Sequence, residues 1–91
     1  MSAYLITYDL VGTDSTSENY DKIIAAIKSY KNWAHVQDSV WAINTPSTAE
    51  QIYEKVRKHM HAKDRLMVLR SGGDWVSENH KCTGKWLKDN L

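Results

Sequence analysis

The segment Ala3–Leu10 constrains the fold of this chain more than any other stretch. It is rich in aliphatic, aromatic and β-branched residues and runs into a polar loop, which is typical of a β-strand. Apolar residues occupy both of its alternating faces: Tyr4, Ile6 and Tyr8 on one, and Ala3 and Leu5 on the other. A strand of this kind is covered on both sides, so we expect it to be central in its sheet. Asp9 then lies at the carboxyl end of a buried strand.

The composition narrows the class of protein. A chain of 91 residues forms one domain with a single core. Its net charge of +1 gives no global field that would steer it toward nucleic acid, so such a role needs local patches. The single Cys82 excludes an intrachain disulfide and a cysteine-rich zinc site. No apolar run is long enough to span a membrane, and Met1 leads directly into the first strand, so we expect a cytoplasmic protein.

Two helices are predicted from apolar residues that recur at three- and four-residue steps. The first covers Glu18–Lys31, with an N-cap hydroxyl offered by residues 15–17. The second opens with two overlapping capping boxes, Ser47 with Glu50 and Thr48 with Gln51.

Three further strands are predicted from alternating or continuous apolar character. They cover Trp33–Gln37, Ser39–Ile43 and Arg65–Arg70. A sharp turn or bulge near Gln37 and Asp38 separates the first two, although one long bent strand is the alternative. After the last strand, Trp75–Ser77 is predicted to return as a short strand and Lys81–Leu91 to form a helix.

The resulting element order predicts an α+β, ferredoxin-like βαββαβ fold, in which two helices cover one face of an antiparallel sheet. Residues 1–74 form this core, and residues 75–91 form a C-terminal strand and helix extension. Because the strands carry apolar residues on both faces, the second face must also be covered. Either a second copy of the chain covers it, which we favour, or the C-terminal tail folds back over it.

Three segments fall in an order and at intervals that resemble the CRISPR-associated Cas2 family. They are Tyr8-Asp9-Leu10, Val36-Gln37-Asp38-Ser39-Val40-Trp41 and Asp64-Arg65-Leu66. The likeness spans residues 3 to 70, and the middle segment is its most specific part. Since an arginine soon after the aspartate is missing among residues 13–17, and the chain from Trp75 onward does not match, it looks like a divergent stand-alone relative of the kind labelled SinR-like.

The resemblance implies a ferredoxin-like homodimer packed through its sheets. Some family members are metal-dependent nucleases on single-stranded RNA or duplex DNA, and in others the dimer is a scaffold. By this likeness, Asp9 of each subunit is the catalytic acid and ligand of a shared Mg²⁺ or Mn²⁺, Ser39 belongs to the catalytic site, and Gln37 contacts nucleic acid. Arg65 and Arg70 could add a basic edge for phosphates, although a merely solvated face is the simpler interpretation.

Three functions therefore remain open: a metal-dependent endonuclease, a non-catalytic dimeric module that holds nucleic acid or a protein partner, and a toxin-like RNA interferase. The residues leave alternatives too. Asp9 could instead cap the loop by accepting N–H bonds from Val11 or Gly12. His35 is expected to be a packed, hydrogen-bonded residue rather than a general base. Asp64 is expected to begin a strand or cap a helix.

Overall fold

The computed structural model describes residues 1–11 and 17–91, with the backbone alone for Ser17. The N-cap hydroxyls expected from residues 15–17 lie outside the described side chains. In chain order the elements are β1 (Ser2–Asp9), α1 (Ser17–Lys28), β2 (Asn32–Gln37), β3 (Val40–Thr45), α2 (Ala49–Arg57), β4 (Arg65–Arg70) and α3 (Gly84–Asn90). The sheet is antiparallel, in the order β2-β3-β1-β4. This confirms the ferredoxin-like fold and the inner position of β1.

The main core lies between the sheet and the helices α1 and α2. Cross-strand pairing of Tyr4 with Ile43 and of Ile6 with Trp41 aligns the apolar residues of β1 and β3 on one face. The helices contribute fully buried side chains to the same cluster, namely Ile23, Ile27, Ile52 and Val56. Each such side chain stabilises the fold by about 1.5–3 kcal/mol relative to full exposure. The alternation in β1 is therefore the pattern around which this layer is built.

Of the two capping boxes predicted for the start of α2, only the box of Thr48 with Gln51 forms. Thr48 is the N-cap: its Oγ1 accepts from Gln51 N at 3.2 Å, and its own N–H donates to Gln51 Oε1 at 2.9 Å. Ser47 does not cap the helix: its hydroxyl accepts from Thr45 Oγ1 at 3.3 Å, at the end of β3, rather than from a helix N–H. The predicted box of Ser47 with Glu50 is thus wrong.

The first two predicted strands after α1 form as separate strands joined by a bulge. The register of β2 against β3 shifts between His35 and Gln37, so Val36 is an extra residue on β2. Asp38 and Ser39 then make the turn into β3. A bulge next to a turn bends and twists the strand end, which fixes where the turn lies relative to β1.

The second face of the sheet is half covered by the C-terminal helix. Leu87 of α3 is fully buried and packs with Val36 of β2 and Ala42 of β3. Asn90 Oδ1 accepts from the side-chain amides of Asn32 and Asn44 at 3.1 and 2.9 Å, which ties the end of α3 to the same two strands.

The predicted strand at residues 75–77 does not form, so its prediction is wrong. Lys81 N instead donates one backbone bond to Val36 O at 2.9 Å, which brings the chain to the β2 edge ahead of α3. The tail therefore reaches the β2–β3 half of the second face.

Among the residues that the structure describes, none covers the β1–β4 half of that face as α3 covers the other half. Pairing of Thr7 with Met67 and of Leu5 with Leu69 puts these residues on one side of the sheet. The side chains of Met67 and Leu69 are 60% and 54% exposed. We call Met67 and Leu69 the open apolar patch; Leu5 beside them is half-buried against the Leu87 cluster. Among the described helices, none has the length and apolar character needed to cross a membrane.

Candidate functional site

Asp9 is the last residue of β1 and lies opposite Arg65, the first residue of β4. Because side chains alternate along a strand, Asp9 faces away from the core side occupied by Tyr8. It shares its face with Thr7 and Met67, and so with the open apolar patch. The Asp9 carboxylate therefore lies at the end of β1, on the same face of the sheet as the open apolar patch.

The Asp9 carboxylate is held only loosely by its neighbour. Arg65 Nη1 lies 3.8 Å from Asp9 Oδ2, and the side chains are 72% and 64% exposed, respectively. An ion pair this exposed contributes at most about 1 kcal/mol and weakens with salt. Asp9 can therefore exchange Arg65 for another cationic partner at little cost.

A concavity of about 330 Å³ surrounds this carboxylate. Its lining comes from the end of β1, the β2–β3 turn and the start of β4: Thr7, Tyr8, Asp9, Ser39, Val40, Arg65, Leu66 and Met67. Ser39 is fixed there because its carbonyl accepts a bond from Tyr8 N at 3.2 Å. Three of the residues predicted from the sequence, Asp9, Ser39 and Arg65, are thereby brought together.

The other two predicted contacts lie outside the concavity. Gln37 is exposed at the end of β2, just before the turn. It pairs with Val40, which lines the concavity, so Gln37 lies at the rim of the concavity. Arg70 pairs with Tyr4 at the far end of β4. At about 3.3 Å per residue, five residues separate Arg70 from Arg65 by roughly 17 Å.

Asp64 joins two distant segments of the chain, a role that the sequence did not reveal. Its side chain is buried, with Oδ1 accepting from Val11 N at 2.8 Å and Oδ2 accepting from His61 N at 2.9 Å. Asp64 directly precedes β4, but its carboxylate oxygens accept from N–H groups outside the helices, so it does not cap α2. The bond to Val11 was not foreseen, because it joins residues 53 apart in the chain.

This bond also bears on the alternative interpretation of Asp9. The N–H of Val11, which Asp9 was to cap, is taken by Asp64. Gly12, the other proposed partner, lies outside the described residues. Val11 is therefore held by a different acid, and Asp9 stays exposed beside the concavity.

Tyr8 contributes backbone to the concavity but not its phenol. The hydroxyl accepts from Trp41 Nε1 at 3.2 Å on the core side of the sheet. Burial raises the pKa of Tyr8, and the Trp41 hydrogen bond only partly offsets this. The phenol thus stays protonated at neutral pH and offers no base to the site.

His35 is likewise a packed residue. Its ring stacks on Trp41 with centroids 4.0 Å apart and planes 6° from parallel, and its Nε2 lies 3.2 Å from Asp38 O. The sequence-based expectation of a packed histidine is confirmed.

The described residues do not by themselves form a metal site. Within residues 1–11 and 17–91, no group of three or more histidine, cysteine or acidic side chains could hold a metal ion. Asp9 is the one carboxylate that lines the concavity among the described residues, and a guanidinium stands beside it. Mg²⁺ and Mn²⁺ prefer several oxygen ligands. The donor set fits such an ion only if a second carboxylate or a phosphate completes it.

Comparison with known proteins supplies three findings. The family model described as CRISPR associated protein Cas2 matches residues 1–78. The crystal structure of a hypothetical protein, TT1823 from Thermus thermophilus, superposes with a TM-score of 0.61 at 20% identity, covering 88% of this chain and 98% of that one. At this identity the superposition supports the fold alone. No curated protein matches the chain.

Proposed function

The chain belongs to the CRISPR-associated protein Cas2 family, and from this premise we propose that it is a homodimeric, metal-dependent endonuclease. In this proposal the Asp9 carboxylates of two subunits share one Mg²⁺ or Mn²⁺. The observation that supports it is an exposed carboxylate in a concavity that borders exposed apolar side chains.

The dimer is supported by the continuity of site and surface. Met67 lines the concavity and also belongs to the open apolar patch. A second copy seated on this patch about a two-fold axis would meet the same residues of its partner. Covering Met67 and Leu69 removes two large apolar side chains from water, at up to about 1.5–3 kcal/mol for each fully buried side chain. The same contact would carry each subunit's Asp9 toward the seam.

The residues then divide the work as follows. Asp9 would exchange the Arg65 guanidinium for the cation, which frees Arg65 to donate N–H bonds to a phosphate oxygen. Ser39 offers a hydroxyl on the opposite wall, and Gln37 an amide at the rim, for sugar or phosphate oxygens. When bound, the cation would polarise the phosphodiester and lower the pKa of a coordinated water.

The decisive substitution is Asp9→Asn, which keeps the shape of the side chain and removes its charge. The matched control is Asp38→Asn, whose carboxylate is 92% exposed and pairs with Lys81 at 3.1 Å. Cleavage of labelled single-stranded RNA and duplex DNA is measured in Mg²⁺ and in Mn²⁺. We expect Asp9→Asn to lose about 100-fold or more, since outer-shell groups alone are worth 10–100-fold, and Asp38→Asn to stay active. Equal cleavage by the Asp9 variant and the control would refute the proposal.

The dimer has its own test. Met67→Glu places a charge on the open apolar patch, and we expect it to yield monomers by analytical ultracentrifugation, with loss of cleavage. The control Val76→Glu alters an apolar side chain that is 95% exposed on the tail. Cleavage by a monomeric protein would contradict the shared-metal arrangement.

A second candidate is a non-catalytic module that holds nucleic acid or a protein. It is favoured by Arg65, whose guanidinium lies beside the carboxylate on which a cation would have to bind. In that case no cleavage appears with either metal, and Asp9→Asn leaves nucleic-acid binding intact.

A further inference from the structure

The edge strand β2 carries an aromatic cluster on its helix side that the site above does not use. Cross-strand pairing of Trp33 with Ile43 and of His35 with Trp41 puts both β2 side chains on the core face of the sheet. The ring centroids of Trp33 and Trp41 are 5.5 Å apart, and their planes are inclined at 57°. His35 stacks in parallel on the same Trp41 indole. We call Trp33, His35 and Trp41 the β2 aromatic cluster.

A cation accompanies this cluster. Lys28, in the last turn of α1, places its Nζ 5.0 Å from the Trp33 ring and 5.7 Å from the Trp41 ring. Trp41 is 2% exposed, but Trp33 remains 37% exposed. A contact of this kind at an exposed site stabilises by only about 0.5–1 kcal/mol, so Lys28 is free to turn toward an anion.

We propose that Trp33 and Lys28 form a docking site for single-stranded nucleic acid, in which a base stacks on the Trp33 indole and Lys28 binds a neighbouring phosphate. An exposed flat ring beside a cation is the pairing that single-strand binding uses without reading sequence. An acidic peptide would satisfy Lys28 but leave the indole uncovered, so the chemistry favours a ligand with both a ring and an anion. The inference rests on the proposed function only for the class of ligand, and it uses neither Asp9 nor a second subunit.

The docking site lies on the strand that leads to the Asp9 concavity. β2 leads from Trp33 to Gln37, at the rim of the Asp9 concavity, and continues into the turn with Ser39. Four residues of strand span about 13 Å. A strand of a few nucleotides held at Trp33 could therefore reach around the sheet edge to that rim.

The test measures binding in EDTA, where no metal-dependent cleavage occurs. Fluorescence anisotropy of a labelled single-stranded oligonucleotide, as DNA and as RNA, is compared among Trp33→Leu, Trp33→Phe and the control Trp75→Leu. Trp75 is an exposed tryptophan of similar degree, at 42%. We expect Trp33→Leu to weaken binding about tenfold, because stacking is lost. Trp33→Phe keeps a ring and should retain most of the affinity, and Trp75→Leu should bind like the unaltered protein.

The cation is tested with Lys28→Gln against Lys55→Gln. Lys55 also sits over a ring, 4.5 Å from that of Tyr30, so both variants lose one charge from a cation–π contact. We expect only Lys28→Gln to lower the slope of log affinity against log salt, by about 0.7 for one single-strand phosphate. If circular dichroism shows that Trp33→Leu is unfolded, Lys28→Gln still tests whether this surface binds the oligonucleotide.

Several results would overturn the inference: equal binding by Trp33→Leu and Trp33→Phe, equal effects of the two lysine variants, or displacement of the oligonucleotide by a poly-glutamate peptide at equal charge. A failure of the proposed nuclease looks different. In that case cleavage is absent in every metal, while binding still depends on Trp33.

Discussion

Replacing Asp64 by asparagine is expected to lower the free energy of unfolding by about 2–3 kcal/mol. The buried carboxylate accepts Val11 N at 2.8 Å with one oxygen and His61 N at 2.9 Å with the other. An asparagine keeps one acceptor oxygen and turns an NH₂ group toward the second N–H. One charge-assisted bond is therefore lost, at about 1.5–3 kcal/mol, and the remaining bond becomes a weaker neutral one.

The assay is urea denaturation followed by tryptophan fluorescence. With a slope near 1–1.5 kcal/mol/M for a small domain, the expected loss moves the midpoint down by about 2 M. The control is Asp38→Asn, the same substitution at an exposed ion pair, which should change stability by less than about 0.5 kcal/mol. Asp64→Ala removes both acceptors and should cost more than Asp64→Asn. Midpoints of Asp64→Asn and Asp38→Asn that agree within error would refute the conclusion that the Asp64 carboxylate holds Val11 and His61 in place.

Three further outcomes are expected. Thr48→Ala should cost about 1 kcal/mol in the same assay, because Gln51 N loses its cap; no change would mean that the capping box is not formed in solution. Leu87→Ala should cost about 2–5 kcal/mol, since the side chain is fully buried, and hydrogen exchange should show α3 opening first; uniform loss of protection would contradict a separately docked helix. Burial raises the pKa of Tyr8 in the folded state above its unfolded pKa of 10.0. The contribution of protonated Tyr8 to the free energy of unfolding is therefore complete below pH 10.0 and falls as the pH rises beyond that value. An absorbance titration in which all tyrosines ionise together near pH 10.0 would contradict this.

The sequence by itself determined the layers of the fold. The two-residue period of β1 and the three- and four-residue steps in α1 and α2 are local patterns, and each matches one buried face in the structure. The motif around Asp9 and the middle segment likewise indicated the family that the match over residues 1–78 shows. Local rules also gave both capping boxes, but they could not choose between Ser47 and Thr48, because the choice depends on where β3 ends.

Only the tertiary structure decided which distant groups meet. The bond from Val11 to Asp64 joins residues 53 apart, and the bond from Asn32 to Asn90 joins residues 58 apart. The placement of Lys28 over Trp33 depends in the same way on where α1 ends relative to the β2 edge. Such contacts follow from strand register and helix docking, which shift by whole residues with the packing of the entire domain. A periodic pattern specifies which face of an element is buried, whereas the partner that the face meets is fixed only when the elements assemble.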